Sequence, residues 1–79
     1  MATINNVFRG IEIIRKYETK EQLEEDCFQA INNQIYCGNY SGDKMTPQDL
    51  AEIKKLGWFN HEGSWSIFTL YFYFILPLL

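Results

Sequence analysis

The chain has 79 residues, with seven Lys or Arg against ten Asp or Glu and a formal net charge of −3. That length allows one domain at most, which buries only about 60% of its unfolded surface. The acidic balance argues against nucleic acid as the main partner, because phosphate contacts need clustered cations.

In chain order, Ile4, Val7, Phe8, Ile11, Ile14 and Tyr17 recur at three- and four-residue steps, so the spacing predicts an amphipathic helix capped by Thr3 or Asn5. Gly10 lowers that helix's intrinsic stability by about 1 kcal/mol relative to Ala. Thr19-Lys-Glu-Gln22 fits a capping box. The helix it opens is expected to carry Leu23, Cys27 and Ile31 on one face with Phe28 beside them. Its Glu21, Glu24, Glu25 and Asp26 would be solvated and suit the dipole at its N-terminus. Ile35-Tyr-Cys37 reads as a short strand ended by Gly38, and Asn39 to Asp43 as a loop.

Thr46 to Gly57 is the best-specified element. Thr46 is the N-cap, Pro47 occupies the first helical position, and Met45 and Leu50 form a hydrophobic staple. Leu50, Ile53 and Leu56 make the buried stripe. Gly57 then supplies the positive φ of a Schellman ending, with Trp58 packing back on Ile53. Trp58-Phe59, the turn Asn60-His-Glu-Gly63 and the run from Trp65 onward read as a β-hairpin. In its second strand Trp65, Ile67 and Thr69 face one side, and Ser66, Phe68 and Leu70 the other.

Ala30-Ile-Asn-Asn-Gln-Ile-Tyr-Cys-Gly38, Met45-Thr-Pro-Gln-Asp-Leu50, Leu56-Gly-Trp-Phe59 and Trp65-Ser-Ile-Phe-Thr69 together resemble a group of small proteins encoded in phages and prophages. The resemblance covers about half the chain and rests on capping and packing signals. It implies a compact α+β domain of mobile-element origin and carries no catalytic residue. Such proteins often finish soon after the Trp-x-x-Phe strand, whereas here Leu70 to Leu79 continues.

Residues that bear chemistry are few. Cys27 and Cys37 are too few for a disulfide scaffold, and Met1 to Asn6 has no signal-peptide pattern. Free, partly buried thiols in a cytoplasmic compartment are expected, a Cys27–Cys37 bridge being the alternative. His61, the single histidine, lies in a polar turn without a neighbouring nucleophile. Cys27, Cys37 and His61 are isolated and fall short of the four ligands of a zinc site. Gly38 and Gly42 lack the Lys-Ser/Thr of a phosphate loop. No cofactor and no enzymatic activity are therefore expected. The acidic run Glu21, Glu24, Glu25 and Asp26 is either a contact surface, even an imitation of DNA phosphates, or a solvated helix face. Trp58, Phe59 and Trp65 are either a partner-binding aromatic patch or hairpin core.

From Gly63 to Leu79 no side chain is charged. Trp65 to Leu79 as a helix would span about 22 Å at 1.5 Å per residue, short of a roughly 30 Å hydrocarbon core, so membrane association is disfavoured. The other readings are a buried or interface strand, including a homodimer contact through that strand, and a non-native end. The expectation is an α+β domain over residues 1–69, two to three helices packed on a short antiparallel sheet (Ile35–Cys37, Trp58-Phe59, Trp65–Phe72), with 70–79 as an apolar extension. Its expected role is that of a phage or prophage accessory protein binding a host or phage protein, possible targets including a host defence system. A small membrane-associated protein held by its tail is the alternative.

Overall fold

A computed structural model describes residues 2–26 and 28–69. Two of three helices pack their core residues against one face of a four-stranded antiparallel sheet, in the chain order α1 (Ile4–Arg15), α2 (Lys20–Glu25), β1 (Phe28–Ile31), β2 (Gln34–Asn39), α3 (Pro47–Lys55), β3 (Phe59–His61) and β4 (Ser64–Phe68), and α2 buries no residue. The strand order is β1-β2-β4-β3. This is the small α+β arrangement expected from the sequence. The extension 70–79, including the expected strand residues Leu70 to Phe72, lies outside the described residues, as does Cys27.

Each helix starts where its capping residue places it. Thr3, rather than Asn5, accepts the Asn6 N–H at 3.0 Å. Thr19 and Gln22 satisfy each other's backbone N–H groups at 3.1 and 2.7 Å, completing the capping box. Thr46 accepts the Asp49 N–H at 3.1 Å, with Pro47 next to it in the first turn. α3 ends as a Schellman motif. Gly57 has φ +103, its N–H donates to the Lys54 carbonyl at 3.0 Å, and the Trp58 N–H donates to the Ile53 carbonyl at 3.2 Å.

The second helix is shorter than its apolar spacing suggests. It stops at Glu25, and Phe28–Ile31 is the edge strand β1 rather than more helix. Asn32 and Asn33 decide the matter. Both take positive φ, 54 and 63, and close a two-residue turn between Ile31 and its partner Gln34. Asparagine tolerates this left-handed region, and two such residues in a row give the turn whose twist matches a hairpin. Glu62 and Gly63, φ 51 and 83, do the same between His61 and Ser64. β2 does not end at Gly38. It passes through a bulge there, where the register with β4 slips, and Gly38 takes φ +58.

Cross-strand partners share a sheet face. The pairs Ile35–Ile67 and Cys37–Trp65 turn toward the helices and meet Ile13, Ile14, Met45, Ile53 and Trp58 in the core. The opposite face carries a rung of Gln29, Tyr36, Ser66 and Phe59. The Gln34 amide donates to the buried Ser66 hydroxyl at 2.7 Å. That hydroxyl donates to the Ile35 carbonyl at 2.8 Å.

α1 and α3 are joined by apolar and polar contacts. Arg9 grips the Glu52 carboxylate with Nε at 2.6 Å and Nη2 at 3.0 Å. Asp49 accepts from the Tyr17 hydroxyl at 2.6 Å and from Lys16 at 3.0 Å. The Trp58 indole packs closely against Gly10 and donates its N–H to the Asn6 carbonyl at 3.1 Å. The buried residues of α1 are accordingly Gly10, Ile13 and Ile14. Ile4 and Phe8, which the spacing places on the apolar face of the helix, stand 87% and 63% exposed.

A β-carbon at Gly10 would clash with the indole ring at Nε1 and Cε2. Gly10→Ala should therefore destabilise the fold by about 1–3 kcal/mol through overpacking, although Ala gains about 1 kcal/mol in helix propensity. Urea denaturation followed by tryptophan fluorescence should show a lower midpoint at unchanged slope.

Candidate functional site

The sequence singles out two groups of surface candidates, and the structure separates them. Trp58 and Trp65 are 2% and 0% exposed, so neither indole is available to a partner. This excludes the aromatic-patch reading for the two indoles and leaves the hairpin-core alternative. The Schellman ending turns Trp58 inward, and Trp65 faces the helices beside Cys37. There its ring N–H donates to Ser41 at 3.1 Å and its ring meets that of Tyr40 at 4.6 Å. Phe59 remains half-buried on the other face of the sheet, in a row in which its ring lies 5.0 Å from Phe68 and 6.3 Å from His61. His61 in turn meets Tyr36 edge-on at 5.5 Å. The histidine thus ends β3 packed among aromatic rings rather than standing free in the turn.

The acidic residues are gathered elsewhere. Glu21, Glu24 and Glu25 are exposed on α2, and Asp26 is half-buried where the chain leaves it. Beside them stand two apolar residues whose exposure the sequence did not reveal. Leu23 is 46% and Phe28 57% exposed. Phe28 pairs with Cys37, and Cys37 with Trp65, so it lies on the helix-side face of the sheet, but on the edge strand. The result is a hollow of about 360 Å³ whose floor and walls include Ile11, Ile14, Leu23, Phe28 and Cys37. Glu18, Glu24 and Asp26 line it on the acidic side, and Arg15 is its one basic lining residue.

Glu18 and Asp26 meet at Gly38. A side chain there would collide with the Glu18 carboxylate and come within 3.8 Å of Asp26 Oδ2. Asp26 also accepts from the Asn39 side-chain amide at 3.0 Å. The Glu18 carboxyl is pushed above its ordinary value, first by burial, then by the charge of Asp26 and a hydrogen bond shared with it. The Asn39 backbone N–H and Lys44 pull the other way without cancelling this. Cys37 is a free thiol. Burial, and then Glu18 and Asp26, push it up to about 11.

Among the described residues no three His, Cys, Asp or Glu side chains are grouped to hold a metal ion, and no helix is long and apolar enough to cross a membrane. The arrangement offers an apolar recess with a negative rim, a surface suited to contact. Sequence reasoning found the rim but missed Leu23, Phe28 and Gly38. The available signal was the pair Asn32-Asn33, which makes Phe28 a strand residue. Comparison of the chain with protein-family models, curated proteins and solved structures finds no match. The fold defines a small α+β protein with an antiparallel sheet.

Two consequences can be measured. Between the ordinary carboxyl value of 4.5 and the raised native one, the folded chain holds a proton on Glu18 that the unfolded chain releases, so this group's contribution is lost as pH rises through that window. Glu18→Gln should therefore raise the melting temperature at pH 7.5, with the gain vanishing below about pH 4.5. Thermal melts of both proteins across that range test this. For Cys37, the thiolate at pH 8 should be on the order of 100-fold scarcer than in a free cysteine. Iodoacetamide should accordingly modify it at least about tenfold more slowly than glutathione, as read by peptide mass spectrometry.

Proposed function

We propose that this protein acts by binding another protein, as an accessory factor of a phage or prophage in the bacterial cytoplasm, rather than as an enzyme. One observation carries the contact site. Leu23 and Phe28 present apolar surface to solvent directly beside Glu21, Glu24, Glu25 and Asp26. Isolated exposed apolar residues are ordinary, but an apolar recess ringed by charge is the anatomy of an interface, with an anchoring core and a polar rim. The resemblance of Met45 to Leu50, Leu56 to Phe59 and Trp65 to Thr69 to small phage and prophage proteins supports the mobile-element origin. Interference with a host defence protein is one form such binding takes. Of the residues first considered for the contact, the acidic ones remain in this reading, Trp58 and Trp65 leave it, and Phe59 belongs to a separate face.

The test is affinity capture from a bacterial lysate with the full chain as bait. A host or phage protein should be recovered in stoichiometric amount and lost when the bait carries Leu23→Ser and Phe28→Ser. Both sites are exposed enough for the fold to survive, which unchanged tryptophan emission would verify. Recovery of no stoichiometric partner, or of one indifferent to both substitutions, would sink the reading.

A further inference from the structure

We infer that the recess between α1, α2 and the β1–β2 hairpin receives a basic amphipathic segment of the partner. Its apolar side chains would rest on Ile11, Leu23 and Phe28, and an arginine would meet the Glu18–Asp26 carboxylates. The inference rests on the binding role just proposed and specifies the chemistry of the bound segment.

Charge supports the basic character. Glu18, Glu21, Glu24, Glu25 and Asp26 oppose the single Lys20 within one short stretch, whereas the rest of the chain is close to neutral, since the whole carries only −3. Of these, Glu18, Glu24 and Asp26 line the recess against the single basic Arg15, so its rim is net negative. A second copy of the chain would bring like charge to the same place, and an anionic lipid surface would be repelled. Neither suits this rim.

Geometry supports an arginine at Gly38. The absence of a side chain there lets the Glu18 carboxylate rest on the backbone next to Asp26. Two carboxyls meeting at one point offer oxygens to both arms of a planar guanidinium. Burial raises the Glu18 carboxyl first and the charge of Asp26 next, and a partner cation would offset that second contribution.

The extent of the apolar surface supports an amphipathic segment rather than a single side chain. A second hollow, of about 420 Å³, is lined by Ile4, Val7, Phe8, Ile11 and Ile35. It shares Ile11 with the first. Both hollows draw on α1, whose 12 residues measure about 18 Å. That matches roughly three turns of a helix laid in a groove.

The experiment titrates the full chain with a helical peptide of leucine and arginine, its leucines on one face, and with a leucine–glutamate counterpart. The arginine peptide should saturate one site. Phe28→Ser should weaken it about tenfold, as should Glu18→Gln combined with Asp26→Asn. Asp43→Asn with Glu62→Gln, which removes the same charge elsewhere, should leave the affinity unchanged. Absence of binding, equal binding of the glutamate peptide, or equal weakening by the distant pair would overturn the inference. With a lysate partner in hand, the two readings separate. Capture lost with Phe28→Ser but kept in Glu18→Gln/Asp26→Asn refutes the basic chemistry alone. Capture indifferent to Phe28→Ser refutes the contact face as well.

Discussion

The fold depends on the seating of one indole. Trp58 leaves α3 through the left-handed Gly57 and lies across Gly10 of α1, with its N–H on the Asn6 carbonyl. No other residue type at position 10 leaves room for the ring. This contact sets how closely α1 approaches α3, and the Arg9–Glu52 and Tyr17–Asp49 bonds then hold the two helices at that distance. With Trp58 in place, Ile13, Ile14 and Ile53 close over Trp65 and Ile67 of the sheet. A chain this short has little buried surface to spare, so loss of this single close contact is felt throughout the core.

The same seating produces the candidate site. Trp58 occupies the Gly10 side of α1, while Ile4 and Phe8 stand exposed and Ile11 packs only partly buried against the core. α2 is too short to cover those residues and contributes Leu23 and a set of carboxylates instead. The recess thus exists because α1 is apolar over a wider arc than the core can use. Its acidic rim holds the Glu18 and Asp26 carboxyls side by side, both bonded to Asn39. Surface of this kind, apolar in the middle and charged at the edge, is what protein contacts are made of.

Much of the secondary structure was legible in the chain because its signals are local. Thr19 with Gln22, Thr46 with Pro47, and Gly57 with Trp58 each act within a few residues, and each is found as its chemistry requires. Leu23, Cys27 and Ile31 misled because a four-residue spacing is equally available to a helix that ends and a strand that begins. The turn at Asn32-Asn33, not the spacing, decides between them. Phe8 shares an apolar helix face with Ile14 yet stands exposed, and Trp58, for which patch and core were both open, is core. Periodicity shows that a face is apolar, but not how much of it a neighbour covers.

By itself the sequence determined the helix starts at their caps, the presence of a hairpin turn within Asn60 to Gly63 and the acidic, aromatic-rich character of the chain, since these follow from composition and from bonds between residues near one another. Only the tertiary structure decided that Trp58 and Trp65 are core, that Phe28 and Leu23 flank the carboxylates, and that Glu18 meets Asp26 at Gly38. Those outcomes depend on which segments pack together across the chain, a competition among distant surfaces for one small core that no local pattern resolves.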